Sequence, residues 1–322
     1  MIPLLIVAYQ RPDNVRLILE KSYRSGVRIF YISLDAPRND SAESRENNEA
    51  IRKDSLSFAR ENHVQLYLRE FSKNVGCGVA VLTACDWFFS ENHLGVVLED
   101  DCIPGEDFFK FMSFALETLS NNSEIMMASG TQRAPSGLFT DLWHLDTYPV
   151  FWGWGTTASK WRVLAKEALD LNPESEQFRN FFDKEKTYWG AGVRRVLEGY
   201  VDTWDTLISA VFFLNQFKNL SPAKSLVNNV GNDAHATHPM DFLDREIHSV
   251  SSFPEPDSEP IFQPAINRRI AVILYNIGFR HLASTRITKL IDAFRSSSLR
   301  NNSLRERYAQ STSYYSQVVK VG

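Results

Sequence analysis

Cysteine is scarce in this chain: Cys77, Cys85 and Cys102 are the only three among 322 residues. An odd number cannot complete a disulfide set, and the spacing fits no zinc template, so a reducing compartment is expected. Long apolar runs are missing too. No stretch approaches the roughly 18 residues of a membrane span, so no bilayer crossing is expected. The opening MIPLLIVAYQRPDN lacks the basic n-region and small-residue cleavage site of a signal peptide and reads as a first β-strand. After that strand, AYQRPDN carries no glycine-rich phosphate loop of the Rossmann or P-loop kind.

What is present is the make-up of an ordinary globular protein, with 43% apolar and 23% charged residues. The length suffices for one large domain or two modest ones. The net charge is only −4, but it is unevenly spread. From Pro264 to Gly322, ten Lys and Arg stand against two Asp and Glu, giving +8 and leaving −12 for the rest. A basic tail on an acidic body suggests an anionic partner for the tail.

The first half alternates between two patterns. Apolar runs of strand length occur at Pro3–Ala8, Val27–Leu34, Val64–Leu68, Leu94–Leu98 and Glu124–Ala128. Helical patterns lie between them, at Asn14–Arg24, Ala42–Glu61, Gly78–Phe89 and Glu106–Leu119. This order predicts an α/β fold with a mostly parallel sheet covered by helices on both faces. Ligands of such folds bind beyond the carboxyl ends of the strands. There the chain places Arg11 after the first strand, Asp35 after the second, and Glu99-Asp100-Asp101 after the fourth. An Asp at a strand end is most often a turn former. Three adjacent acids in GVVLEDDCIPGEDFFKFM repel one another and call for a cation. A nucleotide held at this edge without a phosphate loop would have its phosphates neutralised by a divalent metal on Asp101.

The second half is less regular. DTYPVFWGWGTTASKWR sets Trp152 and Trp154 between glycines; it fits either a flat platform for sugar rings or a buried aromatic turn. GYVDTWDTLISAVFFLNQ opens an apolar helix with Asp202 and Asp205 in its first turn, and one of the two is expected to be a cap. NNVGNDAHATHP is a polar loop holding His235 and His238. From Phe253 a proline-punctuated linker, FPEPDSEPIFQP, precedes a basic amphipathic helix. Ile266, Ile270, Ile273, Leu274 and Ile277 recur along it at helical spacing, with Arg269 and Arg280 on the other side. The residues from Ser296 onward read as loosely ordered.

Taken together, VVLEDD with DFF behind it, the strand-end Arg11 and Asp35, the Trp/Gly loop and the late Asp202-Thr203-Trp204-Asp205 run resemble the GT-A glycosyltransferases. The N-acetylglucosaminyltransferase I group and related bacterial sugar transferases are the most similar. The resemblance covers residues 1–240, and the basic extension lies outside it. It implies that Arg11 and Asp35 hold the uridine of a nucleotide-sugar, and that Glu99 and Asp100 face its ribose and sugar. It implies Mn²⁺ or Mg²⁺ on Asp101 bridging the diphosphate; the loop around His235 and His238 departs from the family, and from it His238 is taken as the further metal ligand, with His235 as the alternative. Asp205 takes the part of the catalytic base, and Trp152 and Trp154 that of the acceptor platform.

The expected layout is a GT-A catalytic domain over 1–245, with its nucleotide-sugar half at 1–130 and its acceptor half at 131–245. A linker and helical extension follow at 246–322. The expected function is metal-dependent, inverting transfer of a sugar from a nucleotide-sugar to a hydroxyl of a glycan or lipid-linked glycan, in bacterial surface polysaccharide assembly. The donor is read as a UDP-sugar, UDP-GlcNAc among the candidates. The alternatives are a nucleotidyltransferase making nucleotide-sugars and a non-catalytic carbohydrate- or membrane-binding protein; nucleic acid is not an expected partner. A cytoplasmic location is expected, with the tail either resting on the anionic inner face of the membrane or joining two copies into a homodimer.

Overall fold

The computed structural model describes residues 1–38, 41–132, 143–183, 187–231 and 303–322. Its centre is a nine-stranded mixed sheet. Strands β1 (Leu4–Ala8), β2 (Ile29–Leu34), β3 (Gln65–Glu70) and β4 (Leu94–Glu99) alternate with helices α1 (Pro12–Arg24), α2 (Ala42–Glu61) and α3 (Cys77–Glu91). They lie parallel in the order β3-β2-β1-β4, with Leu4 of β1 opposite both Phe30 and Val96. These strands are covered on both faces, which is why they are apolar throughout rather than alternating. Leu4, Ile6 and Ala8 enter the core under α1, α2 and the later helix α4 (Phe108–Asn121), while Leu5 and Val7 enter the opposite core under α3. The predicted α/β fold with helices on a largely parallel sheet is present.

Beyond β4 the sheet becomes mixed. After β5 (Cys102–Pro104) and α4 (Phe108–Asn121) come β6 (Ile125–Ser129), β7 (Trp143–Asp146) and β8 (Trp154–Thr157). Strand β8 inserts antiparallel between β4 and β6, with Val97 opposite Trp154 and Ser129 on the other side. The Trp/Gly stretch is therefore a central strand. Its glycines serve close packing: Gly153 has φ +69°, and a Cβ there would come within 2.6 Å of Val227. Helices α5 (Ala158–Asp170), α6 (Glu176–Phe178), α7 (Thr187–Leu197) and α8 (Asp205–Asn215) follow, then β9 (Lys218–Pro222) and β10 (Val227–Asn229). Strands β5 and β10 form a separate antiparallel pair that immobilises the turn after Asp101.

Of the residues after Ser296, the described ones, 303–322, depart from expectation. Residues 303–322 are ordered and belong to the same body as the sheet. Helix α9 (Leu304–Ser311) starts in a capping box of Ser303 and Glu306 and packs on α3 through Ser311 and Thr83, 2.8 Å apart. Strand β11 (Val319–Val321) then adds antiparallel to β3, placing Val319 opposite Leu68. Tyr315 stacks on Phe71 with ring centroids 4.1 Å apart, and its hydroxyl lies 3.0 Å from that of Ser33. Such long-range pairing leaves no periodic mark on a short polar segment, so local pattern could not reveal it. The linker at 253–264 and the basic amphipathic helix lie outside the described residues.

Leu304 is fully buried. Leu304→Ala is expected to destabilise the fold by about 2–5 kcal/mol, the usual cost of emptying a buried leucine site. Urea unfolding measures it, and an unchanged midpoint would mean that the C-terminal helix does not dock.

Candidate functional site: carboxylates at the sheet edge

The carboxyl ends of β1, β2 and β4 converge with the N-termini of α3 and α8. Each strand-end acid has a different fate there. Asp100, the first residue past β4, turns toward the loop after β1. Its Oδ2 accepts the Tyr9 and Gln10 amides at 2.8 and 3.3 Å, and its Oδ1 accepts Arg11 Nη1 at 2.7 Å. Only 4% of Asp100 is exposed. Arg11 and Asp100 are thus brought together, but as a buried ion pair joining two strands. Asp100, expected to face ribose or sugar, is turned to Arg11 instead of standing open: a carboxylate buried at that depth needs a charge partner, and Arg11 is it.

Asp35 is similarly engaged. Its Oδ1 accepts the amides of Ala36 and Val75 at 2.9 and 3.0 Å, and its Oδ2 accepts Asn74 Nδ2 and the Gly76 amide at 2.9 and 3.2 Å. Asp35 ties the end of β2 to the loop entering α3.

Asp202 caps a helix, though not its own. Its oxygens accept the Cys77 and Gly78 amides at the start of α3, at 2.9 and 3.3 Å. Asp205 lies at the start of α8, where Thr203 Oγ1 (2.5 Å), the Thr206 amide (2.6 Å) and Thr206 Oγ1 (3.3 Å) all donate to its Oδ1. Among the described residues nothing donates to its Oδ2.

Glu99 and Asp101 flank the Asp100 turn. Glu99 is half-buried and makes no side-chain hydrogen bond among the described residues. Burial, then the nearby charges of Asp101 and Asp205, raise its pKa well above the ordinary carboxylate range. Burial and Asp100 raise that of Asp101. The Asp101 Oδ1 accepts from the Cys102 thiol at 3.2 Å, and its backbone carbonyl accepts the Val230 amide at 2.8 Å. Gly231 packs so closely on this carboxylate that a Cβ there would overlap it. Asn229 holds Gly231 by accepting its amide at 3.0 Å. Sequence reasoning missed Asn229, Gly231 and Cys102 as the walls of the Asp101 site; only the adjacency of Cys102 hinted at a role.

The sum is a charge imbalance. Arg11 answers Asp100 and Arg307 answers Asp202. Glu99, Asp101 and Asp205 have no ion-pair partner among the described residues. Hard oxygen donors that are crowded and uncompensated suit a divalent cation. Among the described residues, however, no three His, Cys, Asp or Glu side chains converge as a ready ligand set. His235 and His238 lie outside the described residues.

The two tryptophans separate. Trp152 is half-buried. Trp154 is 1% exposed, packed among Trp161, Trp204 and Phe151, and offers no open ring face to a sugar. This corrects its expected part in an acceptor platform. A cleft of about 350 Å³ between α3, α5 and α9, lined by Asp86, Trp161 and Tyr308 among others, contains none of the predicted site residues.

No family model and no curated protein matches this sequence. Among solved structures, the chain is similar to a UDP-glucose pyrophosphorylase complexed with UDP-glucose. The identity is 7% and the TM-score 0.38, over 69% of this chain and 90% of that one. It is also similar to a glycosyltransferase involved in glycosylation of the major capsid of PBCV-1. There the identity is 10% and the TM-score 0.28, over 58% and 76% of the respective chains. Likeness of that degree carries no argument about what this chain binds. No helix among the described residues is long and apolar enough to cross a membrane.

Burial pushes the Asp35 carboxyl up to about 7, against the pull of the Val75, Gly76 and Ala36 amides. A proton held more tightly in the folded state stabilises the fold below the ordinary pKa of 3.8, and that contribution is lost as pH rises through about 7. Wild type is expected to lose up to about 4 kcal/mol of unfolding free energy between about pH 4 and pH 7 that Asp35→Asn, which cannot titrate, does not lose. Urea unfolding across this range checks it; parallel profiles for the two chains would refute it.

Proposed function

We propose that this chain is a metal-dependent, inverting glycosyltransferase that moves a sugar from a nucleotide-sugar to a hydroxyl of a glycan acceptor. The observation that carries the reading is the set of three uncompensated carboxylates, Glu99, Asp101 and Asp205, at the carboxyl edge of a parallel sheet. The donor is proposed to be a UDP-sugar, with UDP-GlcNAc among the candidates.

Asp101 would hold Mn²⁺ or Mg²⁺, which would neutralise the diphosphate as charge develops on it. The remaining chemistry belongs to the chain's own residues. Three donors on Oδ1 fix the Asp205 carboxylate, and its Oδ2, to which nothing donates among the described residues, would accept the proton of an acceptor hydroxyl. With that proton removed, the hydroxyl oxygen forms the new bond at the anomeric carbon as the bond to the diphosphate breaks. One displacement with one base inverts the anomeric centre. The Arg11–Asp100 pair keeps the loop after β1 against β4 and so shapes the wall beside Glu99. Trp152 remains a candidate contact for the acceptor.

A nucleotidyltransferase would share the fold and the acids, but it must grip a nucleoside triphosphate, and AYQRPDN supplies neither glycines nor a run of cations for that. A non-catalytic carbohydrate-binding role would leave Asp205 without a task. Thermal shift with UDP, GDP, dTDP and CMP sugars, each with and without Mn²⁺, separates the readings. The proposal expects a shift from UDP-sugars that requires Mn²⁺. Asp101→Asn is expected to abolish that shift and the transfer with it. Asp205→Asn is expected to keep the shift and lower turnover about 10²–10⁴-fold. Full transfer by either variant would sink the assignment of that residue.

The basic segment after residue 264 is proposed to bring the enzyme to an anionic membrane face, where a lipid-linked acceptor would be confined. Each basic residue near such a surface contributes about 1 kcal/mol. The full chain is expected to sediment with anionic liposomes at low salt and to be released at high salt. If it ignores liposomes and self-associates instead, the segment is an assembly element.

A further inference from the structure

The cleft between α3, α5 and α9 has a chemistry of its own. Asp86 lines it, and is the only charged residue between Cys77 and Ser90 in an otherwise apolar helix. Asp is a poor helix former, and a partly buried carboxylate is costly unless donors meet it. Two neutral donors do. Trp161 Nε1, from α5, donates to Oδ1 at 2.7 Å, and the Tyr308 hydroxyl, from α9, donates to Oδ2. Asp86 thus joins three helices. That structural task takes two of the roughly four acceptor positions of a carboxylate. Among the described residues nothing else donates to Asp86, and no cation pairs with it.

The α5 wall supplies the complement. Arg162 is exposed there, and among the described residues its guanidinium makes no hydrogen bond or ion pair. All five of its N–H donors are open. Ser90 spends its proton on the Trp87 carbonyl at 2.7 Å, which leaves its oxygen to accept. Ala165 and Leu169 add apolar surface. At about 350 Å³ the cleft has the size of a small-ligand site. Its ligand must donate to Asp86 and Ser90, accept from Arg162 and lay an apolar face on Ala165 and Leu169. A simple anion is repelled by Asp86, a simple cation by Arg162, and a hydrocarbon leaves both unanswered. A sugar ring meets every demand, because each hydroxyl both donates and accepts and the C–H faces are apolar.

We infer that this cleft is a carbohydrate-binding site, separate from the carboxylates at the sheet edge, which takes one unit of a glycan with Arg162 and Asp86 as its recognition residues. The inference stands on the donors and acceptors of the cleft and not on the reading of Asp205 as a base. In the proposed enzyme a second glycan site would raise the local concentration of a long acceptor; that consequence alone rests on the proposed function.

The test titrates the full chain with the methyl glycosides of glucose, galactose, N-acetylglucosamine and glucuronic acid, and separately with glycine and with inorganic phosphate. The readout is the Trp161 indole N–H resonance, assigned with Trp161→Phe; this group donates to Asp86 and so reports on it. At least one glycoside is expected to shift it saturably, with a Kd on the order of millimolar. Arg162→Ala is expected to weaken that Kd about 10–100-fold, the worth of hydrogen bonds to a charged group. Its Tm stays within about 2 °C of wild type, since Arg162 holds nothing in the fold. Arg16→Ala, on α1 across the sheet, removes the same charge and keeps Kd within about twofold. A chain that transfers no sugar yet binds a glycoside in this way loses the proposed function and keeps the cleft site. No saturable shift from any glycoside, a shift from glycine or phosphate alone, or equal Kd values in Arg162→Ala and Arg16→Ala overturns the inference.

Discussion

The buried pair between Arg11 and Asp100 is the contact on which the edge of this sheet depends. Strand β4 is apolar as far as Leu98 and then meets three acids within a few ångströms of the core. A single unpaired carboxylate at the depth of Asp100 would be untenable in ionised form. Arg11, at the start of α1, meets it with one charge-assisted bond of 2.7 Å, and two amides from the adjacent loop complete its shell. Breaking such a pair from one side costs about 3–5 kcal/mol because the other charge is left stranded. With Asp100 fixed inward, its neighbours along the chain are turned the other way. Glu99 lies within reach of the Asp205 charge and Asp101 packs against Gly231, neither with an ion-pair partner among the described residues.

The same division runs through the other acids. Asp35 and Asp202 are spent on the architecture: each gathers amides from the loop and first turn of α3, so that this helix start is fixed from two sides. Asp205 takes its local donors on one oxygen, and among the described residues nothing donates to the other. Among the described residues Asp100 and Asp202 are met by arginines and Asp35 by amides, while Glu99, Asp101 and Asp205 have no ion-pair partner, and that imbalance is what the proposed cation would offset. The closeness of Gly231 to Asp101, and the β5–β10 pair beneath it, limit how far Asp101 can swing to relieve that repulsion.

Much of the first half was legible in the sequence because its elements are local and strongly patterned. Ala42–Glu61 was bounded correctly at both ends, since Ser41 is a side-chain cap and the apolar positions recur at helical spacing. The parallel strands announced themselves as continuous apolar runs. The acidic edge was legible as a cluster, but not the allotment of roles within it. That Asp100 belongs to Arg11 depends on a contact between residues 89 apart, which no spacing rule contains. Trp154 misled for a related reason. Aromatics between glycines suit a sugar platform or a tightly packed strand equally, and only the neighbours at Val97 and Ser129 distinguish them. One of Asp202 and Asp205 is expected to cap the helix they open, whereas Asp202 accepts amides of a helix that begins 125 residues earlier.

The pairing of β11 with β3 has a consequence for biosynthesis. The Ser33 hydroxyl waits for Tyr315, 282 residues further along. At about 5–20 residues per second, roughly 15–55 seconds separate the emergence of the two from the ribosome. During that interval the outer edge of β3 carries unpaired backbone groups, the kind of edge that recruits foreign strands, and Asp202 has no Arg307. The nascent chain can assemble its parallel sheet early, yet it stays sticky and electrostatically incomplete until the residues around α9 arrive. Completion of the sheet and of the Asp202 ion pair is thereby tied to synthesis as far as residues 303–322.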